Sequence, residues 1–327
     1  MSKPKVQEEL IIFDTPIGYG KTVVNFEIAK LHTRTPLSIP IIIQRAKKPG
    51  PVILFSAGIH GDEVNGVEIV RQIITRKYNI PDRGMTICLP VVNVFGFLNQ
   101  DRKFPDGRDL NRSFPGSEKG SLASRFAHFI MAEIVPHVSH IIDFHTGGAS
   151  RFNYSQIRYN PEDAECEALA KLFGTKFILR ASTRDHSFRD AASALGKKVL
   201  MFEGGKSKHL DRIVTKSGLD GTLRVLHHLK IRDCSKELAK LDKPEPPIII
   251  ESSSWIRAKY SGMFRSYKAN GSYVQKGERI GTLTDPFGDF EKAVKAKWDG
   301  HIICISHNPI VNQGDALVHI STKVVER

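Results

Sequence analysis

The chain has 327 residues, of which 40% are hydrophobic and 25% charged, and a formal net charge of +13. Its length exceeds what one core usually serves, so two domains, or a large domain with a small one, are expected. No apolar run approaches the roughly 18 residues of a membrane span, and MSKPKVQEELIIF at the N-terminus lacks the long apolar core of a secretory signal.

The basic residues are spread along the chain in short groups (KPK, RAKK, GKK, KSKH, KAK) with no long basic block. That pattern fits a solvated surface or attraction of small anionic substrates better than nucleic acid. Cys88, Cys166, Cys234 and Cys304 are far apart and form no CxxC. A disulfide framework and a cysteine zinc site are both disfavoured, and a reducing, cytoplasmic setting is expected. Neither a nucleic acid nor a membrane partner is expected, and homo-oligomerisation is left open.

Residues 37–44 (LSIPIIIQ) and 52–57 (VILFSA) are apolar, β-branched runs separated by the turn KKPGP. Residues 63–76 then carry Val67, Val70 and Ile74 at helical spacing. Residues 85–92 (MTICLPVV) read as another core strand. Residues 93–120, rich in Gly, Pro, Asp, Asn and Arg, are too long for an ordinary connection, and loops of that length are often functional. Helical spacing returns over 121–135. A strand at 139–144 runs into HTGG, a helix follows at 164–173, and a strand at 198–202 ends in EGG.

Strands alternating with helices predict an α/β domain with a mixed, largely parallel sheet flanked by helices. Ligands of such sheets lie outside the carboxyl ends of the strands, and His60, His145 and Glu203 all fall at predicted strand ends. Past Leu241 the chain changes character. DKPEPP (242–247) reads as a stiff linker, and short strands with glycine turns follow. The expected division is a catalytic domain over 1–243 and a small all-β sandwich over 244–327.

On a helix, positions i and i+3 share a face, so His60 and Glu63 could point at one metal ion. A HxxE pair alone is a weak signal. With a second histidine it becomes the His₂Glu set of catalytic zinc sites, which leave a fourth position open. His145 is the natural third member, because it follows the strand HIIDF and its TGG lets the backbone turn closely. Asp143 alternates onto the same strand face as His145, either to support it or as a structural pair.

Four motifs, GIHGDEVNG, DLNRSFPG, DFHTGG and FEGG, occur in that order. Together they resemble the succinylglutamate desuccinylase/aspartoacylase family, zinc-dependent relatives of the carboxypeptidases, over residues 15–235. The resemblance implies a zinc-carboxypeptidase-like fold and one Zn²⁺ per chain held by His60, Glu63 and His145. It implies that Glu203 is the general base, that Asn111 and Arg112 grip a substrate carboxylate, that Arg102 stabilises the oxyanion and that Asp109 orients the first zinc histidine.

Elementary chemistry supports each role. Zinc brings the pKa of a bound water toward about 7, and a nearby carboxylate can take its proton and pass it to a leaving amine. A guanidinium holds a carboxylate by two parallel hydrogen bonds, and a carboxylate behind a histidine fixes its tautomer. The function implied is a deacylase that cleaves the amide of a small, anionic N-acyl amino acid of N-acetyl or N-succinyl type. The alternative is a zinc carboxypeptidase acting on short peptides.

Arg151, Tyr154, Gln156 and Arg158 are candidate pocket residues, and one of Arg184, His186 and Arg189 is expected to touch substrate. The remaining histidines read as ordinary. The C-terminal halves, with VQKGE and VNQGD at matching places, resemble the biotinyl/lipoyl-carrier sandwich. The hairpin that would carry the modified lysine reads DPFGDFEKAV and lacks MKM. The expected role is a cap that narrows the cleft and favours short substrates.

Overall fold

The run VILFSA is apolar throughout because the strand Val52–Ala57 is covered on both faces. A computed structural model of the chain describes residues 10–325; most of the N-terminal stretch read for a signal lies outside them. Val52–Ala57 pairs in parallel with Met85–Leu89 on one side and with His140–Gly147 on the other. His140–Gly147 pairs in parallel with Lys198–Lys206. These four strands are the parallel centre of a twelve-stranded sheet. Its margins are largely antiparallel: Pro36–Arg45 against Met85–Leu89, Gly20–Lys30 against Pro36–Arg45, and Arg151–Tyr159 against Lys198–Lys206. The architecture is mixed α/β.

Alternation sorts the side chains of the central strands. Ile53, Phe55, Ile142, Phe144, Leu200 and Phe202 point toward the helices Val64–Thr75, Ala164–Phe173 and Arg212–His228 and share one core with them. Leu54, Ile141 and Val199 point the other way, into a second core with the helices Leu122–Glu133 and Phe188–Ala194. By the two-residue period of a strand, Ser56, Asp143, His145 and Glu203 share that second face.

The long connection over residues 93–120 crosses this face. It contains the short helix Val94–Asn99 and a single 3₁₀ turn at Leu110–Arg112. Phe104, Leu110 and Phe114 are buried in the second core and pin it down. Burying each contributes about 1.5–3 kcal/mol, which is how a glycine- and charge-rich loop holds a defined course.

The C-terminal β region does not stand apart from the sheet. Ile248–Arg257 pairs at its start in parallel with Phe177–Arg180, and over most of its length with Ala316–Val324. Ala316–Val324 pairs with Gly300–Ser306, which returns to Arg151–Tyr159 through Cys304 opposite Asn153. With Phe177–Arg180 also paired to Arg151–Tyr159, these strands close a ring. Beyond it a four-stranded sheet completes the region, its Phe264, Ile280 and Leu283 sharing one core with Ile256, Ile302 and Val318 of the ring.

Candidate active site

After Ala57 the chain leaves the sheet through Gly58 and makes a tight turn, closed by the Glu63 N–H donating to the His60 carbonyl at 3.1 Å. Gly61 lies against the loop helix, where a Cβ would fall 1.8 Å from the Gly96 carbonyl carbon. Only glycine fits this approach. The helix itself starts at Val64, with Glu63 as its N-cap residue. His60 and Glu63 are therefore brought together by a turn, not by a shared helix face as their spacing predicts.

The Glu63 carboxylate makes no capping bond to its own helix. Its Oε1 lies 2.8 Å from His60 Nδ1, and its Oε2 lies 3.0 Å from His145 Nδ1 and accepts the Thr146 N–H at 3.0 Å. All three side chains are buried, at 3% exposure or less. The far nitrogen of each imidazole meets a second carboxylate. His60 Nε2 lies 3.0 Å from Asp109 Oδ1, and His145 Nε2 lies 2.8 Å from Asp143 Oδ2. Asp143 is itself fixed by the Ser56 hydroxyl, which donates at 2.7 Å. Of the two readings of Asp143, support of the histidine is the one its geometry satisfies.

His145 lies within its strand, as does Glu203, because hydrogen bonding continues to Gly147 and Lys206 past the expected ends. Gly147 permits this: a Cβ there would meet the Arg151 carbonyl oxygen at 1.9 Å. Charge follows the geometry. Burial alone would raise the pKa of Glu63, but His60 and His145 outweigh it and hold the carboxylate well below its ordinary value. Burial would likewise lower His145, but Asp143 and Glu63 hold it well above. His60 is raised in the same way, against burial, by Glu63 and Asp109.

These residues fit a divalent cation. Their ligand atoms lie within 4.8 Å of one another, close enough for small side-chain shifts to bring them to the roughly 3.3–3.6 Å that separates tetrahedral ligands about 2.0–2.2 Å from one ion. With Nε2–H donated to Asp109 and Asp143, both Nδ1 lone pairs are left for the ion.

Glu203 is in register with His145 on the adjacent strand. Its Oε2 accepts from Asn153 Nδ2 at 2.7 Å, and Arg158 Nη1 lies 3.9 Å from its Oε1. Arg102 is held rather than free. It donates to Asp109 Oδ2 from Nε at 3.1 Å and Nη2 at 2.8 Å, and to Glu63 Oε1 at 3.3 Å. Asp109 also caps the 3₁₀ turn by accepting the Asn111 N–H at 2.9 Å. Buried Asn111 receives the Phe188 N–H on its Oδ1 at 2.8 Å, which leaves its Nδ2 to donate elsewhere. Arg112 is exposed, with Nη1 donating to the Asn111 carbonyl.

The other candidates divide. Burial and then the neighbouring Arg112 and Arg158 push the Arg184 guanidinium below its ordinary value, so it belongs to the same cationic cluster. Arg189 is buried and donates to the Ala181 and Ser182 carbonyls at 3.0 and 2.9 Å, a structural pin. His186 Nδ1 lies 3.3 Å from the Phe114 carbonyl oxygen. Tyr154 packs on Phe177 in the core of the strand ring, and Arg151 lies over the Trp255 ring. Gln156 neighbours Glu203 in register but is fully buried.

Two residues of this neighbourhood carry no motif. Asn153 grips Glu203 from a strand with no motif of its own. His319, stacked on Trp255 at 4.6 Å, is pushed down to about 3 by burial, then by Arg158 and Arg184. The C-terminal region thus reaches the edge of the arginine cluster.

A family model for the succinylglutamate desuccinylase/aspartoacylase catalytic domain matches residues 49–229. The chain belongs to this family. It is an amide-bond hydrolase, a deacylase. It is 27% identical over 305 residues to an N-alpha-acetyl-L-2,4-diaminobutyric acid deacetylase of Halomonas elongata, covering 88% of this chain and 86% of that one. Its fold is that of a succinylglutamate desuccinylase/aspartoacylase from Rhodobacter sphaeroides, with a TM-score of 0.83, 24% identity, and 96% and 98% of the two chains covered. The product-bound Ectoine utilization protein EutE (DoeB) from Ruegeria pomeroyi shares the fold at a TM-score of 0.82 and 19% identity, over 97% and 100% of the chains. These solved structures span the C-terminal β region as well as the catalytic part. No helix among the described residues is long and apolar enough to cross a membrane.

Proposed function

We propose that the protein is a cytoplasmic, zinc-dependent deacylase that cleaves the amide bond of a small N-acyl amino acid, of N-acetyl or N-succinyl type. One observation carries this reading. The Glu63 carboxylate joins the Nδ1 atoms of two buried histidines, each backed by its own carboxylate, and Glu203 stands in register beside His145.

His60, Glu63 and His145 would hold one Zn²⁺, which when bound supplies Lewis acidity and acidifies water at neutral pH. Asp109 and Asp143 fix the imidazole tautomers. Glu203 takes the proton of the attacking water and delivers it to the nitrogen of the leaving amine, and Asn153 keeps its carboxylate aimed. Arg102, 3.3 Å from Glu63, is the cation that would stabilise charge on the amide oxygen. Asn111 Nδ2 and the Arg112 guanidinium hold the substrate carboxylate, and Arg158 and Arg184 add a positive field that favours an anion. The C-terminal region narrows the cleft toward short substrates. The name of the Halomonas elongata relative supports an N-acetyl amino acid as the first substrate to test.

The test is hydrolysis of a panel of N-acetyl and N-succinyl amino acids beside blocked dipeptides, with zinc-loaded wild type and Glu203→Gln. Turnover of an acyl amino acid by wild type, with a drop of orders of magnitude and retained metal in Glu203→Gln, is expected. Preference for the dipeptides would replace the deacylase reading with that of a carboxypeptidase. Full activity in Glu203→Gln would remove the base assignment.

A further inference from the structure

A cleft of about 500 Å³ opens where the C-terminal β region meets the end of the Glu203 strand. Its polar lining includes Lys206, Arg265, Lys268, Asn270, Ser306 and His307, its apolar floor includes Phe264 and Ile305, and no carboxylate lines it. Lys268 is neutralised by an ion pair with Glu278. Lys206 and Arg265 have no ion-pair partner among the described residues. The His307 ring is stacked on Phe152 at 5.4 Å, and burial, then Lys206 and His209, lower its pKa. The buried Oδ1 of Asn270 has no hydrogen-bond partner among the described residues; as an acceptor it offers an anion nothing, so the donors of the cleft are its lysines and Arg265.

Unopposed cations beside a low-dielectric wall focus a positive potential into a concave space. A guanidinium there offers a planar pair of donors suited to an oxyanion. We propose that this cleft is a second anion site, which binds a compact multivalent oxyanion, a phosphate or a di- or tricarboxylate, between Arg265 and Lys206. Its place in the fold gives the site a consequence. Lys206 lies three residues beyond Glu203 on one strand, past a bulge, and is in register with Gly147 of the His145 strand. The His307 N–H donates to the Ser150 carbonyl at 2.9 Å just past that strand. An occupant therefore ties the C-terminal region to the ends of both strands that carry the chemistry.

The experiment is calorimetric titration of the metal-loaded protein at low ionic strength, with inorganic phosphate and with citrate, using wild type, Arg265→Gln, Arg265→Lys, Lys206→Gln and Arg112→Ala. Arg112→Ala weakens anion binding in the catalytic cleft, where Asn111, Arg158 and Arg184 remain. One anion is expected to bind wild type and Arg112→Ala alike. Arg265→Gln and Lys206→Gln should each weaken it at least tenfold, while Arg265→Lys keeps more of it than Arg265→Gln. Tighter phosphate or tighter citrate identifies which anion the site prefers. Arg265 is exposed, so its substitution leaves the core intact, and amide hydrolysis by Arg265→Gln without added anion should match wild type. Failure of wild type to bind either anion, loss of binding in Arg112→Ala, or undiminished binding in Arg265→Gln would overturn the proposal.

Discussion

Asn153→Ala removes the one short hydrogen bond to Glu203 among the described residues. The bond is 2.7 Å long and runs from a carboxamide to a carboxylate, with Asn153 only 6% exposed. Bonds of this charged kind are worth about 1.5–3 kcal/mol. If the bond serves to aim the base in the transition state, kcat should fall about 10- to 150-fold. KM should change little, because among the described residues Asn153 has no hydrogen bond to Asn111 or Arg112. Metal content should not change, because none of His60, Glu63 and His145 is touched. Asn153→Gln and Asn153→Ser keep a donor and should recover part of the loss, whereas a purely structural role would tie activity to melting temperature. The assay is steady-state hydrolysis of the best acyl amino acid, with metal content and thermal melting on the same preparations. Full kcat in folded Asn153→Ala would refute the positioning role.

Further outcomes follow from the same geometry. Asp143→Asn takes the carboxylate from behind His145 and should weaken metal affinity about 10- to 100-fold, read by competition with a chelating dye; unchanged affinity would mean that the Ser56–Asp143–His145 chain is only structural. Gly61→Ala pushes a methyl group into the Gly96 backbone, and should cost at least about 1–3 kcal/mol by denaturant titration; a neutral result would contradict the close approach of the turn to the loop helix.

His319 has a folded pKa of about 3 against an ordinary 6.5, so below pH 6.5 the unfolded chain binds a proton that the folded one refuses. Its stabilising contribution is full above pH 6.5 and is lost as pH falls toward 3, a few kcal/mol in all. His319→Asn should flatten that limb of stability against pH, and an identical limb in the variant would refute the assignment.

The side chains that face one another at the site were legible in the sequence where motifs hold them. His60, Glu63, Asp109, His145 and Glu203 each lie in a short run of glycines and polar residues at a predicted strand end or loop, and the structure gathers them on one face of the sheet. The local reason for His60 and Glu63 was misread. Helical spacing over 63–76 extends in pattern to Glu63, but Gly58 and Gly61 divert the chain into a turn first. The same limit applies at His145 and Glu203, where glycines that read as strand breakers instead allow neighbouring backbones to close up.

Asn153 was not legible, because RFNYSQIRY shows neither a motif nor clean alternation. Its importance arises only when Lys198–Lys206 pairs beside it. His319 was beyond reach for a similar reason, since its burial depends on Trp255 and its electrostatics on Arg158 and Arg184, far away in the chain. The pairing of Ile248–Arg257 with Phe177–Arg180 also left no trace. Composition changes sharply after the 242–247 linker, yet hydrogen bonding carries straight across it.

The central claim is that His60, Glu63 and His145 together hold one zinc ion. Metal analysis of purified wild type and His145→Ala, prepared side by side in zinc-supplemented medium and checked for folding, tests it most directly. Close to one zinc per chain in wild type and little in His145→Ala is the expected result. A folded wild type without stoichiometric metal, or a variant that keeps as much as wild type, would contradict it.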